Sequence, residues 1–156
     1  MKNTLPLLFL LVTLISCEHC GPQKELSLRI DIQRDSLQLD SVSAIGALDQ
    51  TVFQQQVSNT TSGFRRLDLP ISLLADSTTY IFAYETRTDT LTVFYKRDFY
   101  YKDGCGFVVD AHAPASATQV KSTFKKAGIS YEPYVRKERR KWGVTGSDGI
   151  SIFVEL

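Results

Sequence analysis

Two histidines, a run of basic and aromatic residues, a Ser-x-x-Lys spacing and three cysteines are the features of this chain that suggest chemistry. His112 stands two residues after Asp110, so on a strand both would face one side. A metal needs a third and usually a fourth ligand, and only Asp103 lies near, so no metal is expected and His112 reads as a histidine at a strand end. Ser122-Thr123-Phe124-Lys125 has the spacing of a serine nucleophile with a lysine one helical turn on, but the Ser-Asp-Asn and Lys-Thr-Gly elements that such chemistry requires are missing. No Gly-x-Ser-x-Gly elbow or phosphate-cradling glycine loop occurs, and the carboxylates are scattered. An enzyme is therefore not expected, and neither is a cofactor. Arg136, Lys137, Arg139, Arg140, Lys141 and Trp142, with Tyr131 and Tyr134 ahead of them, pair cations with aromatic rings as an anionic lipid or glycan would require. The blander reading is a solvated strand face whose long side chains cover Trp142.

The cysteines carry more. Lys2, the almost continuous apolar run from Leu5 to Ile15 and the small Ser16 have the layout of a cleavable secretory signal. As a helix the run would reach roughly 16 Å, about half of the ~30 Å hydrocarbon core of a bilayer, so a membrane span is the weaker reading. Leu14-Ile15-Ser16-Cys17, placed where the run ends, resembles the lipobox of bacterial lipoproteins, which implies diacylglycerol on the Cys17 thiol and removal of residues 1–16. At ~0.8 kcal/mol per buried methylene, two or three acyl chains hold such a chain almost permanently. Cys17-Glu18-His19-Cys20 also has redox-pair spacing, but lipidation uses up one of the two thiols that a redox pair needs. Cys20 and Cys105 then remain. In an oxidising compartment two thiols tend to pair, and a Cys20–Cys105 bond would stabilise by on the order of 4 kcal/mol less strain; two free buried thiols are the alternative.

The elements that must position these groups read mostly as strands. Leu26 to Ile32 alternates apolar with polar, and so do Leu67, Leu69 and Ile71 around Pro70, which marks an edge or an end. Tyr80, Phe82 and Tyr84 lead through Thr86 to Thr90 into Leu91, Val93 and Tyr95, an expected hairpin. Phe99 to Lys102 and Phe107 to Val109 flank Gly104-Cys105-Gly106. Val42 to Ile45 and Thr51 to Val57 are weaker strand candidates separated by Gly46, and Asn59 to Gly63 is turn-like. Val120, Phe124 and Ala127, between Ser116 and Gly128, suggest a short helix near 117–127. Tyr134 to Val144, a turn at Thr145 to Gly149 and the alternating Ile150 to Leu156 suggest a closing hairpin. Together these predict an all-β chain, a small antiparallel β-sandwich of generally immunoglobulin-like architecture, with a signal over 1–16, a lipidated tether over 17–25 and one domain over 26–156.

The lipobox with Cys20 close behind it, the strand from Leu26 to Ile32, Ser77-Thr78-Thr79-Tyr80-Ile81-Phe82, Thr88-Asp89-Thr90-Leu91-Thr92-Val93 and the Cys105-Gly106-Phe107 turn resemble a family of small Bacteroidetes lipoproteins. That family is one of unknown function. The resemblance implies that Cys20 and Cys105 belong together and that the protein sits in the cell envelope; the stretch from Ser130 to Lys141 is more basic than the family pattern. Triplets of Asp, then Ser or Thr, then a small apolar residue or Thr resemble O-glycosylation acceptors of such envelope proteins, at Ser36, Ser41, Ser77 and Thr90. They also make ordinary turns. Charge is uneven: residues 17–110 carry 9 Lys and Arg against 13 Asp and Glu, and residues 111–156 carry 8 against 4. Glu18 is not the aspartate that retains some lipoproteins at the inner membrane, and no acidic run follows Cys17. The expectation is an outer-membrane lipoprotein facing the periplasm, acting without catalysis on another envelope protein and not on nucleic acid. The rival is a binder or sensor of an anionic envelope molecule through residues 131–142.

Overall fold

The computed structural model describes residues 26–33, 38–48, 64–134 and 149–156. They form ten strands and no helix: β1 (Ser27–Gln33), β2 (Leu39–Ile45), β3 (Phe64–Pro70), β4 (Ser77–Tyr84), β5 (Thr88–Phe94), β6 (Lys96–Lys102), β7 (Gly106–His112), β8 (Val120–Ser122), β9 (Lys126–Tyr131) and β10 (Ile150–Glu155). One four-stranded sheet runs β3-β1-β10-β9 and a second β2-β4-β5-β8, while β6 and β7 form a separate two-stranded ribbon. The architecture is all-β and sandwich-like, with sheets that do not close into a barrel.

Alternation places the core. Leu28, Ile30 and Ile32 of β1, Ile150, Ile152 and Val154 of β10, and Leu67 and Leu69 of β3 are buried on one face of the first sheet. From the second sheet come Leu39, Val42 and Ala44 of β2, Tyr80, Phe82 and Tyr84 of β4, and Leu91 and Val93 of β5. All belong to a single apolar cluster, so each sheet buries its apolar face in a common core. Pro70 is the last residue of β3, an edge strand, where its missing N–H costs no ladder bond.

One strand pair departs from the antiparallel expectation. β1 pairs with β10 in parallel, Ile30 opposite Ile152, and with β3 antiparallel on its other side. Parallel neighbours need a long crossover, which first and last strands have by definition, and alternation does not encode direction. The closing hairpin is also corrected: β10 takes β9 as its antiparallel partner, Ile152 opposite Ile129, and β1 holds its other edge. Of the segments expected at 51–57, 59–63, 134–144 and 145–149, only Tyr134 and Gly149 lie among the described residues.

The short helix near 117–127 is not formed. Val120 pairs with Val93 in β8, Ser122 Oγ accepts the Phe124 N–H in the following turn, and Ala127 already belongs to β9. Phe124 meets Phe82 edge-on, centroids 5.2 Å apart. The i, i+4 spacing of Val120 and Phe124 thus comes from strand, turn and strand, two apolar anchors of one core reached by different routes.

Candidate functional site

Most polar side chains buried in the described residues are spent on holding strands together. The Tyr95 hydroxyl donates to the Ser72 carbonyl at 2.7 Å, so in its 2.7 Å contact with Thr78 the threonine donates; Thr78 Oγ1 in turn accepts the Ser72 N–H at 2.7 Å. Tyr80 donates to the Pro70 carbonyl. Asp89, 5% exposed, takes Arg87 on one oxygen at 2.7 Å and the Thr123 hydroxyl on the other at 3.0 Å, while Thr123 Oγ1 accepts the Thr90 N–H. That node stitches β5 to the turn after β8. Burial pushes Tyr95 and Tyr131 each up to about 12, and Tyr134 upward as well.

The ribbon is built differently. Between β5 and β6 lies only Tyr95, so one continuous run leaves the second sheet at a buried pivot and continues as a two-stranded projection. On one of its faces Arg97 pairs with Ala111, Phe99 with Val109 and Tyr101 with Phe107. Exposure rises along that face: Ala111 is buried and Val109 half-buried, while Phe99 is 63%, Tyr101 64% and Phe107 88% exposed. The Tyr101 and Phe107 rings stack edge to face at 5.7 Å, and the Arg97 guanidinium lies 5.9 Å over the Phe99 ring. At roughly 200 Å2 per aromatic side chain this is on the order of 400 Å2 of exposed ring surface, a size at which surface patches are often functional.

The opposite face of the ribbon is polar. Asp110 is fully buried and accepts the N–H groups of Ala111 at 2.9 Å and Tyr134 at 2.8 Å, pinning the ribbon base to the body. His112 Nε2 lies 3.3 Å from Asp98 and 3.8 Å from Asp110. The same-side placement of Asp110 and His112 is therefore observed, with Asp98 in the neighbouring position and not Asp103. Burial, then Asp110 and Asp98, push the Tyr100 hydroxyl up. Among the described residues no group of three or more His, Cys, Asp or Glu side chains converges in a way that could hold a metal ion.

At the tip the chain turns through Asp103, Gly104 and Cys105, closed by the Cys105 N–H donating to the Lys102 carbonyl at 3.0 Å. Gly104 and Gly106 take φ of 78° and 79°, left-handed positions that glycine fills without steric cost, with Cys105 held between them. Cys105 is half-buried at this tip.

The other expected site residues are placed unevenly. Cys17, Cys20, Ser36, Arg136, Lys137, Arg139, Arg140, Lys141 and Trp142 lie outside the described residues. Tyr131 and Tyr134, ahead of the basic run in sequence, point their hydroxyls at backbone: Tyr131 donates to the Phe94 carbonyl at 2.6 Å, and Tyr134 accepts the Ile150 N–H at 3.1 Å. They are pins of the core edge. Ser41, Ser77 and Thr90 sit half-buried within β2, β4 and β5, not in turns. Ser122 and Lys125 are not on a helix; Lys125 pairs with Glu155 at 3.5 Å. In sequence Phe99, Tyr101 and Phe107 look like core strand residues; their position on a ribbon outside both sheets exposes them. No family model, curated protein or solved structure matches this chain.

Proposed function

We propose that this chain is a lipid-anchored protein of the bacterial cell envelope whose single β-domain works by contact and not by catalysis. The exposed aromatic face of β6 and β7 carries the reading: three large rings gathered on one projecting ribbon have no role in the core and lose unfavourable contact with water when covered. The polar groups that could serve chemistry, Asp89, Asp110 and the Ser72-Thr78-Tyr95 set, are engaged in holding strands. Anchoring rests on the lipobox-like tetrad ending at Cys17 and the apolar run before it, and the outer membrane, facing the periplasm, is the address this reading assigns. Cys105 is assigned Cys20 as its partner, because lipidation removes Cys17 from the choice. The resemblance to small Bacteroidetes lipoproteins supports the same address.

Photo-cross-linking in whole cells tests the contact. A photoreactive residue replacing Tyr101 is expected to give envelope adducts, protein or lipid, several times more abundant than the same residue replacing Phe153 on the outer face of the first sheet. Equal or absent adducts at Tyr101 would remove the contact role from the ribbon.

A further inference from the structure

We propose that the aromatic face of the β6–β7 ribbon rests in the interfacial layer of the membrane, as a second attachment point beside the lipid. The inference builds on the reading that Cys17 is lipidated and that Cys105 is bonded to Cys20. Chain geometry supplies the first argument. Cys17 and Cys20 are three residues apart, at most about 10 Å of extended chain, and a disulfide brings two Cα atoms to about 5.5 Å. The tip residue Cys105 is then held within roughly 16 Å of the lipidated residue, within reach of a headgroup layer several ångströms deep. A tip on so short a leash stays close to the membrane surface.

Composition supplies the second. The side chains nearest that tip on the apolar face are Tyr101 and Phe107, directly opposed, followed by Phe99, and they are the most exposed aromatic rings among the described residues. Aromatic rings favour the membrane–water boundary, where an apolar body and a polar rim are both satisfied, and the Tyr101 hydroxyl suits that layer. Exposure also increases toward the tip, the end the tether would bring to the bilayer, while the base is buried in the body. The consequence is orientation: lipid and ribbon together fix two points, so the domain presents one end to the membrane and leaves both four-stranded sheets facing outward.

The test uses the full mature chain with its native lipid, purified and reconstituted into phosphatidylethanolamine and phosphatidylglycerol vesicles whose acyl chains carry bromine. Trp142 is the chain's only tryptophan, so F107W/W142F carries one reporter at the ribbon tip and F153W/W142F one on the first sheet. The F107W reporter is expected to shift to the blue on reconstitution and to lose about half or more of its emission to bromine. The F153W reporter is expected to stay unquenched, and adding C105S to the F107W/W142F chain is expected to reduce the quenching severalfold. Intact mass on the same sample separates the layers of the argument: acyl mass with no quenching at position 107 overturns this inference alone, and absence of acyl mass overturns the anchoring reading and this inference with it. Equal quenching at both reporters, or shielding of position 107 that occurs only when envelope proteins are added, would also overturn it, the latter in favour of a protein contact.

Discussion

Tyr95 shows how single residues set this molecule's limits. Its ring is 1% exposed at the point where the chain leaves the second sheet for the ribbon, and its hydroxyl satisfies the Ser72 carbonyl while accepting from Thr78. Removing the hydroxyl leaves buried partners unpaired, so Tyr95→Phe is expected to cost about 1–3 kcal/mol in urea unfolding. The same residue makes the protein sensitive to base. Burial raises Tyr95 from about 10 in the unfolded chain to about 12, so the folded state holds a proton that the unfolded state loses first. Stability is fully present below pH 10 and is lost as pH rises through about 12, with Tyr131 and Tyr134 adding in the same direction. Urea midpoints between pH 9 and pH 12 should therefore fall, and fall less steeply in the Tyr95→Phe chain. A flat profile would contradict the burial of these hydroxyls.

At the scale of elements, centrality outweighs propensity. β10 lies between β1 and β9, and Ile152 on it is 2% exposed, whereas Ile129, its partner across the ladder, sits half-buried on the edge strand β9. Ile152→Ala is expected to cost 2–5 kcal/mol in equilibrium unfolding, and Ile129→Ala clearly less, about 1–2 kcal/mol. Equal costs would mean that β10 is not interior. This difference also measures what was legible in sequence. Period-two alternation located β1, β3, β4, β5 and β10 because each buries one face only, and Pro70 announced an edge. Alternation is silent about partners and direction, so the parallel β1–β10 pair and the β9–β10 ladder were not readable. It is also silent about which sheet a strand joins, and that concealed the candidate site: Phe99-Tyr100-Tyr101 reads as the apolar stretch of a core strand, whereas Phe99 and Tyr101 are exposed on a ribbon that leaves the second sheet at Tyr95. The helix expected near 117–127 failed for a related reason, since Val120 and Phe124 reach the same core from a strand and from a turn.

For the whole molecule, address and architecture support one another in the reading proposed. The two four-stranded sheets supply a core large enough to hold the fold, and the ribbon outside them carries exposed rings with a cysteine at its tip. A ribbon of two strands is at best marginal alone, and the Asp110 contact at its base holds it to the body. If the tip cysteine is tied to the lipidated segment, the part of the domain that shuns water is the part kept at the membrane. All of this depends on the fate of one thiol. The direct measurement is the intact mass of the chain recovered from the envelope fraction, with tandem spectra of its N-terminal peptide. The account predicts a chain that begins at Cys17 and carries diacylglyceryl mass on that residue. An unmodified chain beginning at Met1 and recovered from the cytosol would contradict it.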